Sequence, residues 1–365
     1  MNKKMNKKIL NWIDEKIFSI PFGITKGYDY NNQPEEYKSI LIIKLAALGD
    51  SVCLLPLIQA IKKDSPNIKI DVLAHPSNKV IFEGQPFIDN LIEFNTFNIL
   101  KMYNKYDLTI DAEPFLNISA CIARYSGKHT MGFSHGRRSY MYDKLIAYNK
   151  KQHIVQTYLD FARKLGIKCN TKSLVPLMTS LEEKENAKLY LKEMGVTSKD
   201  FVVGICPGVG SSVKQRQWPT KRFAELADKL IRNGKKIIFI DSADNEDVVR
   251  SIMAKMHEIN FIDATKWFNL KTNVELAKRC NVMICCDSGF SHIVASMNVK
   301  VITLFGVNTP VIWAPYGKGN VSIFKPKKGC SYLDNTNRHL VPKKLTKSQL
   351  TCMDAITVND VLRKI

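Results

Sequence analysis

The sequence predicts an α/β protein built on two doubly wound parallel sheets, and three observations carry that expectation. Short apolar, β-branched runs recur along the chain, each followed by a polar loop and then by apolar residues at helical spacing. Strands that alternate with crossover-length helices pair in parallel. The rhythm pauses at Pro176 to Ser180 and restarts, and 365 residues leave room for two cores of ordinary size. The expected division is an N-terminal extension over 1–38, a first domain over 39–178 and a second over 179–365.

Composition narrows the class. Hydrophobic residues make up 45% and charged residues 24%, a globular balance, and no apolar run approaches the roughly 18 residues of a membrane span. Nine cysteines stand at irregular positions without zinc-site spacing, so they are expected to be reduced, mostly buried thiols of a cytoplasmic protein. The formal charge of +20 predicts attraction to phosphate-bearing partners. Because the lysines are spread along the chain, a nucleic-acid surface is a weaker expectation than a nucleotide sugar or an anionic lipid.

Residues 1–20 place Ile9, Trp12 or Ile13, Ile17 and Ile20 at helical spacing behind a lysine-rich start. This is a basic amphipathic helix, suited to a membrane surface or to packing on the first domain. From Ser39 the run SILIIK reads as a strand, Gly49-Asp50-Ser51 as a loop, and Leu54, Leu55, Ile58 and Ile61 as a helix kinked by Pro56. Asp50 is thereby placed at a strand's carboxyl end, where it could cap the helix or serve as a general base. Further strands are expected at Lys69–Ala74, Asn90–Phe94, Tyr106–Asp111 and Thr130–Phe133, with helices near Lys79, over Phe115–Tyr125 and over His153–Leu165. Asp111 and Glu113 close the Tyr106 strand at the same edge.

The second half starts with a helix over Leu181–Met194 and a strand over Phe201–Cys206. The loop that follows holds Gly208, Gly210, Ser211 and Ser212 ahead of Lys214 and Arg216, backbone amides and cations that make a phosphate cradle. Pro219 suits the first turn of a helix ending at Gly234. The strand Lys236–Ile240 ends at Asp241, and Glu246 lies early in the next helix. Asn281–Cys286 is a buried strand, Asp287-Ser288-Gly289 breaks it, and Ser291, His292, Ile293 and Val294 open a helix whose N-terminus suits an anion. Ser288 is the expected cap. A strand over Lys300–Phe305, the loop Gly306–Pro310 and a helix over Val358–Ile365 complete the pattern.

The loops after Asp50, Pro207, Asp287 and Gly306 each follow a strand, so they should line a ligand cleft. Gly208-Val209-Gly210 also approaches a dinucleotide fingerprint, with Asp241 as its ribose acid, and an NAD-dependent oxidoreductase is one alternative. Val213 replaces the third glycine, however, and Lys214 to Gln217 separate the loop from its helix.

Taken together, ILIIKLAALGD from Ile40, Arg216 with Trp218-Pro219, DSGFSH from Asp287, and Leu304-Phe305-Gly306 with Thr309-Pro310 resemble the ADP-heptose:lipopolysaccharide heptosyltransferases, glycosyltransferase family 9. The resemblance implies a GT-B architecture of two Rossmann-like domains and an inverting sugar transfer. It implies a donor, ADP-heptose, held by the second domain, an acceptor on the lipopolysaccharide core held by the first, and no metal or other cofactor. It places Asp50 as general base and Gly49, Asp111 and Glu113 on the acceptor side. On the donor side it places Gly210, Ser211, Ser212, Lys214, Arg216, Glu246, Asp287, Ser288, Gly289, Ser291 and His292. The family's lysine before Trp-Pro is replaced by Arg216, with Lys214 two residues back, so either cation could reach the diphosphate. The family's D-x-Q-G-like stretch reads Asp111-Ala112-Glu113-Pro114. The implied setting is cytoplasmic, at the inner face of the membrane, with residues 1–20 as a peripheral contact and no nucleic-acid partner. A non-catalytic sugar-nucleotide-binding protein is the remaining alternative.

Overall fold

The computed structural model describes residues 36–210, 214–326, 330 and 351–365. Among them the chain forms two compact units, one reaching to Asn170 and the other beginning at Thr171. Each is built on a six-stranded parallel sheet. The expected segment 1–20 lies outside the described residues.

In the first unit the strands are β1 (Ser39–Lys44), β2 (Lys69–Ala74), β3 (Asn90–Glu93), β4 (Tyr106–Asp111), β5 (Gly127–Phe133) and β6 (Lys144–Ile146). They lie in the order β3-β2-β1-β4-β5-β6. Every residue of β1 after Ser39 is buried, because helices cover both faces of a parallel sheet and a central strand therefore needs apolar side chains on both sides. The helix Leu48–Asp64 continues through Pro56 and buries Leu54, Leu55, Leu57, Ile58 and Ile61. The helix Ile154–Lys164 packs beside it.

The second unit repeats the plan with β7 (Val202–Cys206), β8 (Lys236–Phe239), β9 (Phe261–Asp263), β10 (Val282–Cys286), β11 (Val301–Phe305) and β12 (Val321–Phe324), in the order β12-β11-β10-β7-β8-β9. In both units the order is that of a dinucleotide-type fold, which reverses direction between the first and fourth strands. Those reversals, β1/β4 and β7/β10, are where ligands bind in open α/β sheets. The strands not expected from sequence, β6, β9 and β12, are three- or four-residue edge strands. Runs this short show no periodicity.

Several local expectations are corrected. Pro219 is the N-cap of the helix Thr220–Arg232 rather than part of its first turn, and it makes no side-chain cap bond. Ser288 is the N-cap of the helix Gly289–Ser296 with extended backbone, yet its hydroxyl makes no cap bond either. Not all nine cysteines are thiols, since Cys330 and Cys352 are joined by a disulfide. Their Cα atoms are 5.9 Å apart, within disulfide reach, a proximity that their separation in sequence conceals.

The segment 351–365 belongs to the second core, where Met353, Ile356, Val358 and Val361 are buried. Fully buried Trp218 donates its indole N–H to the Ile356 carbonyl at 3.0 Å. Arg222 donates to the carbonyls of Asp354 and Ile356. The loop after β11 rests on the same segment, since a Cβ at Gly306 would lie 2.5 Å from the Met353 sulfur.

Candidate functional site

In the first unit the reversal point is organised by a buried cation. Lys44 ends β1 with no exposed surface, and its ammonium lies 3.2 Å from Glu113 Oε1 and 3.5 Å from Asp50 Oδ2. The same Glu113 oxygen accepts the N–H groups of Leu45 and Ala46, each at 2.7 Å. Asn78 braces the turn by donating to the Lys44 carbonyl at 3.0 Å and to Ser51 Oγ at 2.8 Å. The peptide bond between Ala46 and Ala47 is cis. Gly49 and Asp50 fall in the first turn of the helix Leu48–Asp64, where the helix dipole favours a carboxylate. The Asp50 side chain keeps 20% of its surface exposed, whereas that of Glu113 keeps 2%. Of these carboxylates Asp50 is therefore the one open to a substrate.

Asp111 is placed differently from the expectation of an acceptor contact. It is fully buried, and its Oδ2 accepts from Arg138 at 2.6 Å, Tyr142 at 2.6 Å and Ser119 at 2.7 Å. Its Oδ1 accepts the Glu113 N–H at 3.0 Å. Burial pushes the Asp111 carboxyl above its usual range, and burial also pushes the Tyr142 phenol up. A carboxylate with this many donors is an anchor that fixes where Glu113 begins. Lys44, Asn78, Arg138 and Tyr142 were not singled out from the sequence. Only Lys44 carried a signal, a lysine closing an otherwise apolar strand.

In the second unit the reversal point is bounded by the loops after β7 and β10. Ser211 and Ser212 lie outside the described residues. A Cβ at Gly210 would meet nothing within 4 Å, while one at Gly208 would collide with Asn245 and Asp241. Asp241 is saturated by its own loops. Its Oδ2 accepts from the Gly208 N–H at 2.7 Å and Cys206 at 3.4 Å, and its Oδ1 from Ser242 N–H at 2.8 Å and Asn245 at 2.7 Å. A ribose-binding acid needs spare acceptor capacity, so the dinucleotide alternative gains no support here.

Lys214 is exposed and Arg216 half-buried on the short 3₁₀ turn Lys214–Arg216. Arg216 Nε lies 3.4 Å from Asp287 Oδ2. Neither atom has a hydrogen-bond partner, although both are buried, and the same holds for Ser288 Oγ and for Asn308 Oδ1 in the loop after β11. Buried polar atoms are almost always partnered, so unsatisfied ones on neighbouring ligand-facing loops mark a place for a polar guest. Ser291 instead turns back to the Ser288 carbonyl at 2.8 Å. Glu246 opens the helix Glu246–Met253 and is held by Lys266 at 2.7 Å and by Arg250. The Lys266 bond keeps its carboxyl below the usual range. No group of three or more His, Cys, Asp or Glu residues that could hold a metal occurs among the described residues.

His292 is buried, and its pKa is lowered to about 4 by burial and by the Arg216 charge. It is therefore a neutral imidazole at neutral pH. The unfolded chain takes up a proton near pH 6.5 and the folded one only near 4, so the stability that His292 confers is complete above about 6.5 and falls as pH drops. Urea unfolding should show the second unit losing roughly 2 kcal/mol more between pH 7 and pH 5 in the native protein than in His292→Gln. Equal losses would mean that His292 is not buried neutral.

A Lipooligosaccharide heptosyltransferase 2 of Haemophilus influenzae is 28% identical over 302 residues, 76% of this chain and 86% of that protein. The Lipopolysaccharide heptosyltransferase 1 of Salmonella typhimurium is 22% identical over 322 residues, 82% of this chain and 98% of that protein. Among solved structures, a glycosyl transferase family 9 protein from Veillonella parvula superposes with a TM-score of 0.74 at 24% identity, covering 90% of this chain and 96% of its own. E. coli ADP-heptose lps heptosyltransferase II superposes at 0.70 and 20%, covering 89% and 97%. E. coli heptosyltransferase WaaC with ADP superposes at 0.65 and 19%, covering 89% and 98%. Two six-stranded parallel units and this likeness give the GT-B fold. The model of glycosyltransferase family 9 (heptosyltransferase) matches residues 100–339, well over half of the chain, and the protein belongs to that family of glycosyltransferases.

Proposed function

We propose that the protein transfers a heptose from ADP-heptose, with inversion at the anomeric carbon, to a hydroxyl of a lipopolysaccharide core, and that Asp50 is the general base. The observation that carries this reading is the partly exposed carboxylate of Asp50 at the reversal point of the first sheet, 3.5 Å from a buried ammonium. The ADP bound to the E. coli heptosyltransferase supports the choice of nucleotide.

The first unit would hold the acceptor and the second the donor. As the acceptor oxygen bonds to the anomeric carbon, Asp50 takes its proton, and the bond to the donor phosphate breaks with both electrons leaving on ADP. The charge that builds on the diphosphate is met by the guanidinium of Arg216 and by the free N–H groups of the helix Gly289–Ser296. Lys214, exposed one turn away, contributes less.

Asp50→Asn keeps size and polarity but cannot take a proton. Turnover should fall by about 10²-fold or more while the thermal midpoint and ADP affinity stay near native values. A variant that turns over at the native rate would reduce Asp50 to a helix cap. For the leaving group, Arg216→Ala should raise the donor's Kd by about ten- to a hundredfold, since a charge-assisted contact contributes roughly 1.5 to 3 kcal/mol. Lys214→Ala should do less, and the reverse ranking in a calorimetric titration would move the phosphate to Lys214.

No helix among the described residues is long and apolar enough to cross a membrane. We infer that the basic, amphipathic residues 1–20 meet anionic lipid at the inner face of the cytoplasmic membrane, where the acceptor would be presented. Sedimentation with acidic vesicles should be strong at low salt, weaker at high salt and reduced on deletion of residues 1–20. Tighter binding to duplex DNA than to vesicles at the same salt would contradict this.

A further inference from the structure

We propose that Glu113 is a positioning residue for the transfer, one that takes up most of the charge of Lys44 so that Asp50, facing the same ammonium, keeps the basicity needed to accept a proton. The proposal rests on the reading of Asp50 as the base. It goes beyond that reading by assigning a role to a buried carboxylate that no substrate can reach.

The geometry is asymmetric. Glu113 Oε1 is nearer to the ammonium, 3.2 Å against 3.5 Å for Asp50, and it is the more deeply buried of the two carboxylates. The same oxygen accepts two backbone N–H groups of the turn that leads from Lys44 towards Asp50. Glu113 is itself fixed from behind, because its N–H donates to Asp111, whose other oxygen is tied to Arg138, Tyr142 and Ser119. A rigid chain of contacts therefore runs from the core to the ammonium and sets how its charge is divided.

The division matters because an ammonium this deeply buried acts through a low dielectric. If Asp50 were its only counter-ion, Asp50 would be strongly favoured as the bare carboxylate and would be a poor base. A second carboxylate on the same cation cancels much of that pull. Two neighbouring acids add no charge. Cys53 on the Asp50 helix and Tyr158 on the helix Ile154–Lys164 are both pushed up by burial and stay neutral. Tyr148 acts on Tyr158, and Arg138, which also feels Glu113, is committed to Asp111. Lys44 is the cation that Asp50 and Glu113 share.

The test is the pH dependence of kcat. Glu113→Gln retains the Oε1 acceptor for Leu45 and Ala46 but removes the negative charge. The acid limb, where Asp50 becomes protonated, should move down by about one pH unit, the scale of one unit charge several ångströms away in a partly screened site. The plateau kcat should fall about threefold as the base weakens. Glu113→Asp, which keeps the charge, should leave the limb at its native pH. If the Gln variant is too unstable to assay, Lys44→Met/Glu113→Gln removes both charges, and its limb should lie above the native one because the nearer cation is lost. A limb at native pH in Glu113→Gln, or in that double variant, would overturn the proposal, as would the same shift in the Asp and Gln variants. These results differ from failure of the underlying reading, in which Asp50→Asn itself turns over at the native rate.

Discussion

The first unit depends on a cation that has no access to water. Lys44 is carried into the centre of the sheet by an otherwise apolar strand, and its ammonium is tolerable there only because carboxylates and dipoles surround it. That requirement fixes Glu113, and Glu113 in turn fixes the backbone of Leu45 and Ala46. The turn then delivers Asp50 into the first turn of the following helix. Electrostatic need, more than hydrophobic packing, thus sets the geometry at the edge of this sheet, and the same need links β1 to β4 across the reversal point.

The two units use one strand order for opposite chemistry. At the β1/β4 reversal the partly exposed group is acidic, with a cation hidden behind it. At the β7/β10 reversal the half-exposed group is the guanidinium of Arg216, with Asp287 behind it. Each reversal point therefore pairs a partly exposed charge with a more deeply buried counter-charge. Arg216 Nε, Asp287 Oδ2 and Ser288 Oγ in the second unit are buried without hydrogen-bond partners, so the compensation there is incomplete.

Much of this was legible in the sequence. The central strands β1, β2, β4, β7, β10 and β11 were readable because full burial on both faces forces a continuous apolar run. The place of Asp287 at a sheet edge was readable because it stands directly after such a run. The edge strands β6, β9 and β12 were not, being three or four residues long. The role of Asp111 was also hidden. Its donors Ser119, Arg138 and Tyr142 come from two later segments, and nothing in a linear string distinguishes an acid facing a ligand from one enclosed by donors. The failed cap at Ser288 has a related cause, since the residue type suits a cap but the hydroxyl is turned elsewhere.

The attachment of Trp218 to Ile356 has a consequence for how the protein is made. The two residues are separated by 138 positions, and the core around Trp218, together with the support under Gly306, needs Met353 and Ile356 in place. At roughly 5 to 20 residues per second, a ribosome takes on the order of ten seconds to travel from one to the other. During that interval the indole, Phe223 and the apolar ends of β7, β10 and β11 have no cover from this segment. The second unit therefore closes only once Ile356 has been made, and until then the surface around Trp218 is open to a chaperone.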